Sequence, residues 1–214
     1  MGAGRPLGGG RGKLQTSNGG SPCAVSGCAT CASLRAAAVA LAVRRGIQSV
    51  TSEGIAAEAG IEGEEAARHY PTLDHCLAAA YEQSTAHFRD VASRAMDTEG
   101  SWQDRLHAAA AATAEAFDDR PDLARYCVVE ARRCNLPLLC ASRLAGRRRY
   151  IEMLTDHRRS GGDEDLPEVR MELFVGSGHH VSSEELEQGD ADSLRERLDG
   201  LIKAFEPAMP SPAP

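Results

Sequence analysis

Aromatic side chains are scarce in this 214-residue chain, at 4% with a single tryptophan, Trp102, while alanine is abundant. Small apolar residues in that excess favour closely packed helices over a sheet. Long apolar runs are also missing: none approaches the ~18–20 uncharged residues that a membrane span needs. No apolar stretch follows the first basic residues, so no secretion signal is expected and a cytoplasmic protein is. There is no nucleophile elbow, no phosphate-binding loop and no Rossmann glycine run, which argues against an enzyme. No cofactor is expected, and no internal repeat is visible. Excess positive charge is absent too. The net charge is −7, so bulk charge does not advertise a nucleic-acid binder, although a local basic face could still serve one.

What the chain does contain is most informative between Ile47 and Leu77. Thr51 can cap a short helix, with Glu53 near its positive end. Ile55, Ala56 and Ala59 give that helix one apolar face. Gly60 can take the left-handed conformation that ends it. A second short helix, from about Glu62 to His69, must stop at Tyr70, because a residue before proline is pushed out of the α region. Thr72 caps the next helix. Two short helices around a glycine turn form a helix-turn-helix pattern, whose second helix can lie in the DNA major groove.

These residues resemble the N-terminal domain of the TetR family of transcriptional regulators. The resemblance runs from Ser33 to Ala80 through Leu34, Ala37, Ala38, Leu41, Gly46, the run V-T-x-x-x-I-A-x-x-A-G-I at 50–61, and R-H-Y-P at 68–71. It implies DNA contacts at Arg44, Arg45, Thr51, Gly63, Glu64, Arg68, His69, Tyr70 and Thr72. The second helix departs from the family pattern. Glu62 replaces a small hydroxyl residue, Ala67 stands where a phosphate-touching tyrosine is usual, and Leu73 stands in place of a lysine. Over 33–77, four arginines face six acids, whereas a DNA-facing surface neutralises phosphates with lysine and arginine. Acids in a first helical turn have a structural explanation of their own, since they complement the helix dipole.

Residues 1–32 read as a glycine-rich basic tail, too poor in apolar groups to offset chain entropy. It is either a plain leader or an arm that follows phosphates. Cys23, Cys28 and Cys31 have the spacing C-x4-C-x2-C. A metal site there needs a fourth ligand, such as His75 or Cys76; a cysteine among small residues is equally a small buried hydrophobe. A redox pair is a third reading. The expectation is no metal.

Ser33 is expected to cap the first helix. Beyond Thr72 the periodicity predicts helices over about 72–96, from Ser101-Trp-Gln-Asp104 onward, from Pro121, from Asn135 as a cap over about 136–158, over 167–181, and from Leu194 to Phe205. Arg143, Arg147, Arg148, Arg149, Arg158 and Arg159 on the fourth of these form either a solvated face or a basic face for an acidic ligand. The adjacent His179 and His180 point in different directions on a helix, so they read as surface or pocket residues.

The expected architecture is all-α: a helix-turn-helix domain at 33–78, a helical ligand-binding and dimerisation domain at 79–206, and a loose tail at 207–214. The resemblance implies a ligand-responsive regulator, in the repressor sense, that binds operator DNA as a dimer and responds to a small-molecule effector. Its pocket residues would be Tyr126, Cys127, Glu130, Met153 and Phe174. A homodimer is expected through the last two helices, whose apolar stripes include Leu194, Leu198, Leu201, Ile202 and Phe205. The competing reading is a dimer of the same kind that has lost operator binding and serves as a small-molecule or protein-binding module.

Overall fold

Alanine and glycine set how closely the helices of this protein approach one another. The computed structural model describes residues 27–162, 166–188 and 192–208. Among them are nine α-helices, three short 3-10 segments and no strand, so the chain is all-α as expected. No described helix is long and apolar enough to cross a membrane.

Helix α1 (Ala29–Arg45) begins four residues earlier than Ser33 predicts, with Cys28 as its cap. Ala29 and Ala32 favour helix, and the Cys28 sulfur accepts from Cys31 N at 3.5 Å, so no break is needed before Ser33. A 3-10 turn at Ile47–Ser49 leads to α2 (Ser52–Ala59), α3 (Gly63–His69) and the long α4 (Leu73–Met96). Thr51 and Thr72 cap α2 and α4 as expected. Gly60 closes α2 with φ +67°, the conformation that only glycine adopts cheaply.

Helix α4 is about 36 Å long at 1.5 Å per residue, and it passes through both halves of the molecule. Its first turns, with Leu77, Ala80 and Tyr81, pack into one buried cluster with Leu34, Ala38 and Leu41 of α1 and with Tyr126 and Val128 of α6 (Pro121–Val128). Its last turns, with Ala92 and Met96, join Trp102 and Leu106 of α5 (Trp102–Asp119) in a second cluster. The core therefore does not divide at residue 78. Ser101 and Asp104 form the expected capping box of α5.

Helix α7 (Pro137–Ser160) starts from Leu136, not from an Asn135 cap, and has no side-chain cap of its own. Asp74 supplies one from α4: its carboxylate accepts from Leu138 N at 2.8 Å and from Leu139 N at 2.9 Å. Gly146 lets α7 lie against α4, since a Cβ there would sit 3.3 Å from the Tyr81 ring.

Helix α8 (Glu168–Gln188) runs beyond the expected end at Val181, and α9 (Asp192–Phe205) folds back on it. Glu185, 3% exposed, accepts from Ser193 and Arg197 and ties the two together. Much of the α9 stripe is used within the chain, with Leu201 and Phe205 half-buried. Leu194, Leu198 and Ile202 are buried at 1%, 9% and 3% within the chain itself. The reason is geometric: α9 lies against α5 and α8, and its single apolar face is needed there. The exposed large apolar residues of this end are Val169 and Leu173 on α8.

Candidate functional site

Two surfaces are candidates for function, one beside the start of α4 and one along its middle. The first is formed by α2, α3 and the caps around them. Helix α3 is seven residues long, and none of its residues is buried. Glu64 and Glu65 lie in its first turn, Arg68 and His69 in its last. Gly63, Glu64, Arg68, Thr51 and Thr72 are exposed, so the structure leaves them available on one end of the molecule.

The remaining predicted DNA contacts are engaged within the protein to different degrees. Arg45 is exposed, whereas Arg44 pairs with Glu58 across α1 and α2 at 2.8 Å. The hydrogen bond from Arg44 holds the Glu58 carboxyl below its ordinary range. Tyr70 is buried, and its hydroxyl accepts from Arg35 Nη1 at 2.8 Å. Burial pushes the Tyr70 hydroxyl up to about 12, so it stays protonated. His69 is half-buried and turned onto α1: Nδ1 lies 3.3 Å from Cys31 Sγ and 3.6 Å from Cys28 Sγ. His75 and Cys76 have hydrogen-bond partners elsewhere. His75 Nδ1 contacts the Thr72 hydroxyl, and the Cys76 thiol donates to Leu34 O.

The second surface is a cavity of ≈ 640 Å³, open on one side and lined by α4 to α9. Its walls include Phe88, Leu106, Phe117, Leu154, Phe174, Leu198 and Ile202, with Tyr81, Cys127 and Tyr150 among the polar-tipped groups. Burial pushes the Cys127 thiol and the Tyr150 hydroxyl up to about 12, so these groups meet a ligand as neutral donors. Arg89, Arg132, Arg143, Arg147, His179 and His180 also line the cavity. Partial desolvation of the ring, with Arg132, Arg143 and Arg147 nearby, lowers His179 from the ordinary histidine value, although the residue as a whole is exposed. A largely apolar chamber with a few convergent cationic groups is the usual form of a site for an amphipathic anion. A second hollow, near Ser101, His107 and Lys203, opens on the surface between the start of α5 and the end of α9.

The structure divides the residues expected in the pocket. Cys127 and Phe174 line the cavity; Tyr126, Glu130 and Met153 are not among its lining residues. Tyr126 is fully buried and donates to Leu77 O at 2.8 Å. Glu130, 2% exposed, accepts from Ile47 N at 3.2 Å and from Arg133 Nη1 at 2.9 Å. It thus fastens the body to the turn between α1 and α2. Met153 packs with the second core cluster. The arginines of α7 are likewise divided. Half-buried Arg143 and exposed Arg147 both line the cavity, Arg148 and Arg149 are exposed, and Arg158 lies buried with its guanidinium 5.4 Å from the Trp102 ring centre. Arg89 stands alone on α4 and Arg132 lies in a short turn beside Arg133, so neither forms a pattern in sequence that points to the cavity.

No protein-family model matches the chain, and no curated protein matches it in sequence. Solved structures do. The fatty acid degradation regulator FadR from Bacillus halodurans superposes with a TM-score of 0.70 at 15% identity, covering 83% of this chain and 96% of that one. FadR from Bacillus subtilis, solved in complex with stearoyl-CoA, gives 0.68 at 13% identity, covering 81% and 96%. A TetR family transcription regulator from Marinobacter aquaeolei VT8 gives 0.63 at 16%, covering 86% and 96%. At such identities the likeness establishes the fold, which is that of TetR-family and FadR-type transcription regulators.

Proposed function

We propose that this protein is a cytoplasmic, ligand-responsive transcription regulator, not an enzyme, that binds operator DNA as a homodimer and releases it when an amphipathic anion fills the cavity. In this reading residues 33–78 read DNA and residues 79–206 bind the effector and the second copy. The carrying observation is the apolar cavity with Arg132, Arg143 and Arg147 among its lining residues. It lies against α4, and α4 begins immediately after the helix that would read DNA. A ligand acts only through different affinities for two states, and here the moving parts are already joined. Glu130 and Asp74 each bond across from one half of the molecule to the other. The stearoyl-CoA held by the similar Bacillus subtilis protein is an apolar chain with an anionic head, and a long-chain acyl-CoA is therefore the first effector to try.

Among the DNA contacts, Arg68 is the exposed cation of α3, with Arg45, Thr51, Gly63, Glu64 and Thr72 around it. The second copy would seat on α8, where Val169 and Leu173 stand exposed four residues apart, an isologous contact that closes on itself.

The acidic first turn of α3 favours a second reading, in which the operator-binding step is lost and the dimer serves as a ligand- or protein-binding module. Titration with the DNA flanking its own gene, at two salt concentrations with and without acyl-CoA, separates them. The first reading expects salt-dependent binding, release by acyl-CoA, and a loss of ~1–3 kcal/mol in Arg68→Ala. Arg143→Ala with Arg147→Ala should keep DNA binding and lose the response. No binding at either salt concentration would overturn the first reading and leave the second.

A further inference from the structure

We propose that Cys28, Cys31 and His69 bind a zinc-class divalent ion through two thiolates and one imidazole nitrogen, clamping the start of α1 to the end of α3. The three ligating atoms lie within 4.8 Å of one another. A tetrahedral zinc with Zn–S of about 2.3 Å and Zn–N of about 2.05 Å spaces a sulfur and a nitrogen about 3.6 Å apart. Cys28 Sγ stands 3.6 Å and Cys31 Sγ 3.3 Å from His69 Nδ1. Hydrogen bonding alone accounts poorly for that arrangement. An imidazole nitrogen has one lone pair or one proton, so it satisfies one sulfur in line, not two. A shared cation in the middle suits all three.

The surroundings suit the ion as well. Cys28 is the cap of α1 and Cys31 lies in its first turn, where the helix end favours a thiolate. Two thiolates balance the charge of a divalent ion, and their protons leave to solvent as it binds. Sulfur and imidazole ligands select zinc over magnesium or calcium. The described residues supply three ligands, and the fourth position of the ion is filled from outside this set.

The site joins elements that are far apart in sequence. His69 is the last residue of α3, a seven-residue helix with no buried residue, and α1 is the most thoroughly buried helix of that end. An ion there would fix the exposed helix to the buried one. His69 would then serve the clamp and not a DNA contact. Metal binding itself does not rest on the DNA-binding reading.

The full-length protein, reduced and stripped of metal, is titrated with cobalt(II) and then with zinc. One equivalent of cobalt with thiolate charge-transfer absorption, displaced by zinc, is expected. His69→Asn changes a half-buried residue and should weaken binding roughly a hundredfold or more; Cys31→Ser should do the same, with circular dichroism confirming that both variants remain helical. Zinc should also slow amide exchange in α3 in the wild type and not in His69→Asn. Absence of a thiolate band at micromolar cobalt, or wild-type affinity in His69→Asn, overturns the site. Stoichiometric binding with unchanged α3 exchange overturns the clamp. None of these readouts involves DNA, so a failed operator assay leaves them untouched.

Discussion

The two candidate regions of this molecule differ in how their charges suit the ligands they would meet. Helix α3 and its cap, which would face phosphates, present Glu62, Glu64 and Glu65 beside Arg68, with Arg44 and Arg45 exposed nearby at the end of α1. The cavity, by contrast, has Arg89, Arg132, Arg143 and Arg147 about apolar walls. Charge on a surface helix costs little wherever it falls, because water screens it. At the cavity Arg89 and Arg143 are half-buried and give up part of their hydration, which is dearer, while Arg132 and Arg147 keep theirs as exposed residues. Arg89 and Arg143 are therefore the stronger pointers to an anionic ligand. The regions differ in support as well. Helix α3 has no fully buried residue, while the cavity helices bury Leu106, Leu154, Leu198 and Ile202.

That contrast can be broken at its strongest point. Leu198→Glu places a charge in the core beside the cavity, and it should cost roughly 3–5 kcal/mol of stability, read as a fall in the urea midpoint. Leu173→Glu, on the exposed face of α8, should leave the midpoint almost unchanged and turn a dimer into a monomer in sedimentation. Equal stability of the two variants would mean that α9 is not packed inside as described. At the joint between the regions, Glu130→Ala leaves Ile47 N and Arg133 without their buried acceptor. The expected loss is about 3 kcal/mol, with faster amide exchange at Ile47.

Asp74→Ala removes the cap that α4 lends to α7, for about 1–2 kcal/mol; protection at Leu138 and Leu139 should fall first. Unchanged protection there would show that water replaces the carboxylate without loss. The smallest effect is on exposed α3. Glu64→Gln with Glu65→Gln should raise non-specific DNA affinity at low salt, by less than about 1 kcal/mol per charge, and the gain should shrink as salt rises. No gain at any salt would mean that these side chains point away from DNA.

The helices were legible in the sequence because the forces that start and stop them are local. Thr51, Thr72 and Ser101 each cap through a backbone group three residues on, Gly60 ends α2, and Pro71 forces the break after α3. The exceptions are instructive. Asn135 looked like a cap, but the acceptor at α7 is Asp74, 64 residues away. Leu198 and its neighbours looked like a surplus stripe, because a periodic pattern shows that one face is apolar and not what covers it. Glu130 looked like a pocket acid until Ile47, 83 positions distant, proved to be its partner.

By itself, then, the sequence determined an all-α chain, the helix-turn-helix order and most of the helix starts, since hydrophobic period, capping and proline sterics act within a few residues. Only the tertiary structure decided which arginines meet in one cavity, which apolar faces remain exposed, and that His69 closes on Cys28 and Cys31. Those outcomes depend on how α4 carries distant segments past one another, and no interaction within a single turn records that.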